Sequence, residues 1–124
     1  MDITPAIPQG KQIITGYGNG QFRIGGEVYS GPVLIFPDRA VIWGIKPGAP
    51  VTLANLGVVL EEEGEIDLLL IGTGKKQDVL PQGIRTALKD VGIALEIMDT
   101  GAAVRTYNVL LAEGRRVAAA LVAV

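Results

Sequence analysis

Two patterns of apolar positions divide the chain. Residues 12–45 carry short apolar runs cut by glycine and proline, the spacing of consecutive strands. "QIITGYGNGQFRIGGEVYSG" reads as a β-meander, in which Asn19-Gly20 and Gly25-Gly26 supply the positive φ values of tight hairpins. "PVLIF" and "AVIWGI" follow as strands parted by the turn "PDR", and Pro47 and Pro50 end the region. "TLANLGVVLEEEG" predicts a helix with Thr52 as its N-cap and Leu53, Leu56 and Leu60 at helical spacing. Its Glu61–Glu63 run reads as a solvated helix end; an acidic metal site is the sharper alternative.

From residue 66 the rhythm alternates between continuous runs and stripes. "IDLLLIG" predicts a strand covered on both faces. "PQGIRTALKDVG" predicts a helix with Ile84, Ala87, Leu88 and Val91 on one stripe and Gly92 as its C-cap glycine. "IALEIM" is a strand, "DTGAAVRTYNVLLAEGR" a helix closed by Gly114, and "RVAAALVAV" the last strand. Strand–helix–strand–helix–strand calls for right-handed crossovers and a parallel sheet. The prediction is one α/β domain over residues 12–124, with residues 1–11 as a flexible tail.

The loops after parallel strands emerge at one end of the sheet, where ligands of open α/β sheets bind. This puts "GTGKK" (Gly72, Thr73, Gly74, Lys75, Lys76) and Asp99-Thr100 on one rim. "GTGK" fails as a phosphate loop, because Leu69 and Lys76 stand where that motif needs glycine and Ser or Thr. "GYGNGQ" fails as a dinucleotide fingerprint, ending on Gln21 within a hairpin.

In the last helix, Ala103, Tyr107, Leu110 and Leu111 share the sheet-facing stripe, with Val104 at its margin. Asp99 or Thr100 caps it. Arg105, Thr106 and Asn108 are left over. Two readings stay open: a capped amphipathic helix with a solvated Arg105, or an anion site at a helix start supplied with charge by Lys75, Lys76 and Arg105. Trp43 reads as core or rim packing, and Val109 as exposed.

Composition narrows the chemistry. Cysteine and histidine are absent, which removes thiolate nucleophiles, zinc–thiolate sites and the usual general base. No catalytic constellation is legible, and no cofactor or metal is indicated. A net charge of −2 argues against a broad nucleic-acid footprint. "MDITPAIPQG" lacks the marks of a signal peptide, and "VAAALVAV" is too short to span a bilayer, so the expected location is cytoplasmic.

The residues resemble a small family of unknown function, found in bacteria and archaea, that includes mitochondrial NADH:ubiquinone oxidoreductase (complex I) assembly factor three. The resemblance rests on "GYGNGQFRIGGEVYSGPVLIFP", Trp43, "LLLIGTG" and "GIALEIMDTGAAVRTYNVLLAEGRRVAAAL". It implies a three-layer α/β domain, a β-meander attached to a mostly parallel four-stranded sheet of order 2-1-3-4. "AVIWGI" would then neighbour "IALEIM", and a crevice would lie near Lys46 and Asp99. Many relatives carry cysteine in place of Val104, and some mitochondrial ones a small residue in place of Arg105, so the resemblance implies no essential catalysis by either. It implies a non-enzymatic interaction or assembly factor with a membrane-associated protein partner. The alternative from the residues is a small-anion or metabolite-binding domain, with weak enzymatic activity left open, using Gly72, Thr73, Gly74, Lys75, Lys76, Asp99, Thr100, Arg105, Thr106 and Asn108.

Overall fold

The computed structural model describes residues 12–46 and 48–124; the expected tail, residues 1–11, lies outside them. Strands β1 (Ile14–Gly18), β2 (Gln21–Ile24) and β3 (Glu27–Ser30) form an antiparallel sheet of their own, the expected meander. Both of its turns have positive φ at each central residue, 54° and 75° at Asn19-Gly20 and 57° and 84° at Gly25-Gly26. That backbone matches the right-handed twist of paired strands, which is why these dipeptides set the register. Thr15 is an extra residue in β1, because Ile14 faces Ile24 and Gly16 faces Arg23.

The main sheet contains β4 (Val33–Phe36), β5 (Arg39–Ile42), β6 (Leu68–Gly72), β7 (Ala94–Met98) and β8 (Val117–Leu121), in the order β5-β4-β8-β6-β7. β6 runs parallel to β7 and β8, while β4 is antiparallel to both β8 and β5. Four strands therefore share a direction and β4 opposes them. The sheet is mixed and five-stranded, which corrects the expected four-stranded order 2-1-3-4. The "AVIWGI" and "IALEIM" strands lie at opposite edges and are not neighbours.

The reason is local. A two-residue turn at Pro37-Asp38 sets Phe36 opposite Arg39, so β5 stays bound to the side of β4. The centre then goes to β8, whose five residues are all buried. Its three alanines leave room for closely packed layers on both faces, and a fully buried strand suits a central position.

Alternate residues of the strands feed two separate cores. Leu34, Phe36, Leu69, Ile71, Ala118 and Ala120 pack with Leu56, Val59, Ile84 and Leu88 on one face. Val33, Ile35, Leu70, Val117, Ala119 and Leu121 pack with Ala103, Tyr107 and Leu111, and with Ile14, Phe22 and Ile24 of the meander, on the other. Val104, expected at the margin, belongs to this second core.

The helix expected over residues 52–64 does not form at that length. Only a 3₁₀ turn (Ala54–Leu56) and one helical turn, α1 (Gly57–Leu60), are present. Leu56 breaks the helix at φ −107° and ψ 14°. Thr52 caps the start of this short segment as expected: its Oγ1 accepts from Asn55 N–H (3.4 Å), and its own N–H donates to Asn55 Oδ1 (2.9 Å). Leu53 is exposed and Val59 takes the inward position. Glu61–Glu63 occupy turns after α1, where Glu62 pairs with Arg39, whose guanidinium also covers the Phe36 ring.

Helix α2 (Gln82–Asp90) buries Ile84 and Leu88 as expected. Gly92, at φ 81°, closes it: Gly92 N–H donates to Lys89 O and Ile93 N–H to Leu88 O. Helix α3 (Thr100–Ala112) follows β7 and buries Thr100, Ala103, Val104, Tyr107 and Leu111.

Candidate functional site

Because β5, β6, β7 and β8 share a direction, the segments after them meet at one rim. These are residues 43–46 and 48–51, 73–81, Asp99-Thr100 and 122–124. The two polar loops singled out in the sequence are both there, and a fully buried threonine ties them together. Thr100 Oγ1 accepts from Gly74 N–H (2.9 Å) and donates to Val122 O (2.7 Å), while its own N–H donates to Gly74 O (2.8 Å). One hydroxyl thus joins the chain after β6 to the chain after β8.

The direction of the crossovers reverses between β6 and β8, so this is the switch point of the sheet. The expected crevice between Lys46 and Asp99 is absent, since β5 and β7 lie at opposite edges. The real switch point is filled by Thr100. Gly72 allows the close approach: a Cβ there would lie 2.9 Å from Thr100 Cα and 3.0 Å from Leu121 Cδ2.

The remaining candidates divide by what their polar atoms already do. Asp99 caps α3, its Oδ1 accepting from Ala102 N–H at 2.8 Å. Thr73 organises its loop, with Oγ1 donating to Lys76 O (2.7 Å) and accepting from Asp78 N–H (3.0 Å). Asn108 clips the meander to α3: Ile14 N–H donates to its Oδ1 (3.0 Å) and its Nδ2 donates to Ile14 O (2.7 Å). It thereby acts as a neighbouring strand toward Ile14. Thr106 is half-buried on the flank of α3, and Lys76 is exposed. Tyr107 is buried with its hydroxyl donating to Phe36 O at 3.3 Å. Burial, and secondarily the charge of Asp38, pushes its phenol above the usual tyrosine range.

Gly74, Lys75, Asp99 and Arg105 do come together. With Tyr17, Gly101 and Val124 they line a cleft of about 370 Å³ between the meander and the start of α3. Its geometry centres on Gly101. The point a Cβ would occupy there lies 2.7 Å from Tyr17 Oη, 3.4 Å from Arg105 Nη1 and 3.4 Å from Asp99 Oδ1. A phenol, a guanidinium and a carboxylate thus converge over bare backbone. Gly20 N–H donates to Val124 O (2.7 Å), which fastens the hairpin carrying Tyr17 onto the rim.

Tyr17 and Gly101 were not among the sequence candidates. The available signal was a tyrosine beside an Asn-Gly turn, but nothing in the spacing brings residue 17 to residue 101.

The cleft can hydrogen-bond and pair with charge. It holds no nucleophile activated by a base. Among the described residues no cluster of three or more carboxylates is placed to hold a metal ion.

Comparison with known proteins follows the same outline. A family model described as a protein of unknown function (DUF498/DUF598) matches residues 14–122. An uncharacterised protein of Rhodobacter capsulatus is 43% identical over 108 residues, covering 87% of this chain and 82% of that one. NADH dehydrogenase [ubiquinone] 1 alpha subcomplex assembly factor 3 of Rattus norvegicus is 33% identical over 109 residues. That alignment covers 88% of this chain and 59% of the rat protein, so the chain spans less than two thirds of that relative. The crystal structure of an outer membrane protein from Bartonella henselae is 42% identical, with a TM-score of 0.85, covering 95% of this chain and 98% of that one. The chain belongs to the DUF498/DUF598 family of unknown function, and the animal assembly factors 3 are among its relatives.

Proposed function

We propose that this chain is a non-enzymatic protein-interaction factor of the assembly type, acting in the cytoplasm on a membrane-associated partner. The observation that carries this reading is the 33% identity to the rat assembly factor over 88% of the chain. The relative named as an outer membrane protein supports a membrane link. Among the described residues no helix is long and apolar enough to cross a membrane. The interaction face is the outward side of α3, where Val109 is 58% exposed one turn from exposed Arg105, beside Tyr17 at 42%. Cross-linking pull-down of the native protein, compared with Arg105→Glu, is the test. A reproducible partner lost in the variant is expected, and recovery of none counts against the reading.

Convergence of Tyr17, Arg105 and Lys75 on one cleft favours a second reading, a small carboxylate or phosphate held there. The helix start contributes little to it, because the N–H groups of Thr100 and Ala102 are already bonded. Titration with inorganic phosphate and acetate, followed by NMR, should shift the amides of residues 72–76 and 99–102. Unmoved amides rule it out.

A further inference from the structure

A second cleft opens on the α2 side of the same rim, and neither the interaction reading nor the anion reading uses it. It encloses about 310 Å³ between the segments that follow β5, β6 and β8. This is within the roughly 300–1,000 Å³ of small-molecule sites, and the carboxyl ends of like-directed strands are where such sites occur. Ile45, Leu80 and Val122 form an aliphatic floor continuous with the core beneath. Pro32, Pro50 and Pro81 stiffen the walls. Val79 lines the cleft and is 89% exposed, a large aliphatic group left almost wholly in water.

The cleft also carries one charge on each bounding loop. Lys46 comes from the segment after β5 and Asp78 from the segment after β6. Both are exposed, and among the described residues neither is in an ion pair. Each is tied by hydrogen bonds to neighbouring residues. Ala49 N–H donates to Lys46 O at 3.0 Å. Asp78 is held by its N–H to Thr73 Oγ1 (3.0 Å) and by its Oδ1 accepting from Val79 N–H (2.8 Å). An ammonium and a carboxylate that line one cleft without meeting, over apolar ground, complement a ligand with the reverse arrangement.

We propose that this cleft binds a small aliphatic zwitterion of the amino-acid class. The ligand carboxylate meets Lys46, its ammonium meets Asp78, and its hydrocarbon body covers the floor of Ile45, Leu80 and Val122. The two charges select for a ligand bearing both signs, because either sign alone leaves a like-charge contact with one of the two loops.

The experiment is NMR titration of the full chain with leucine, 6-aminohexanoate, hexanoate and hexylamine. Leucine and 6-aminohexanoate share the zwitterion and differ in charge spacing. At least one of them should shift the amides of Ile45, Thr73, Leu80 and Val122 and saturate, while hexanoate and hexylamine bind about tenfold or more weakly, since charge-assisted contacts carry the difference. Lys46→Met and Asp78→Asn should each weaken the preferred zwitterion by a similar factor; both side chains are exposed, and an otherwise unchanged spectrum certifies the fold of each variant. Three results overturn the proposal: no shift with either zwitterion, equal binding of hexanoate or hexylamine, or unchanged affinity in both variants. The Arg105→Glu pull-down reads a different face, so either result can fail alone.

Discussion

The hydroxyl of Thr100 accepts from one rim segment and donates to another in a place water does not reach. Thr100→Val keeps the volume and strands Gly74 N–H and Val122 O, which costs about 1–3 kcal/mol. Urea unfolding should show that loss, with Thr100→Ser retaining much of the wild-type midpoint. Two glycines nearby separate by what their missing side chains would touch. Alanine at position 72 would press on the backbone of Thr100, which cannot swing aside, and on the side chain of the fully buried Leu121. Gly72→Ala should therefore lose about 1–3 kcal/mol by overpacking. For Gly101→Ala the three nearest contacts are the side-chain ends of Tyr17, Arg105 and Asp99. In the first turn of α3 the substitution also gains helix propensity, up to about the 0.8–1.0 kcal/mol of an interior position. It should leave the unfolding midpoint unchanged or raised while displacing the Tyr17 ring, visible in the ring's NMR shifts.

Among the elements, the meander is held to α3 by the paired bonds between Asn108 and Ile14. Asn108→Ala should speed amide hydrogen exchange in β1 and β2 without matching acceleration in β6 and β8. Uniform acceleration would mean the meander and main sheet open as one unit. The elements that were legible in the sequence are those whose cause is local. Asn19-Gly20 and Gly25-Gly26 carry their turn geometry in two residues, and α2 displays its stripe and its closing glycine within eleven. The helix expected over 52–64 starts at the Thr52–Asn55 pair but breaks at Leu56, and the leucine spacing carries no sign of that break. Asn108 looked like a spare polar group because its partner lies 94 residues away. For the same reason Tyr17 was passed over, and the rim could be located but its clefts could not.

For the whole molecule, the strand order is the property furthest from the sequence. Crossover rules gave the parallel run of β6, β7 and β8, yet where β4 and β5 attach depends on which edge of β8 is left open. The buried Tyr107 makes global stability depend on pH at the alkaline end. Its phenol titrates higher when folded than its ordinary value of 10.0, chiefly through burial. Its contribution is complete below that ordinary value and is lost as pH rises above it, when the unfolded chain ionises and the folded one resists. Tyr107→Phe should be less stable at neutral pH through loss of the bond to Phe36 O. Its stability should then fall less steeply above pH 10 than that of the wild type, as equilibrium unfolding across that range would show.

The central position of β8 has a consequence for the order of synthesis. Among the described residues β8 is the last of eight strands in sequence, yet it alone bridges the β4–β5 hairpin and the β6–β7 pair. Until residues 117–121 emerge from the ribosome, the nascent chain holds two half-sheets with open inner edges, a state prone to mispairing. Folding of the main sheet therefore waits for residues 117–121, and the growing chain passes through a window in which a chaperone would find both edges exposed.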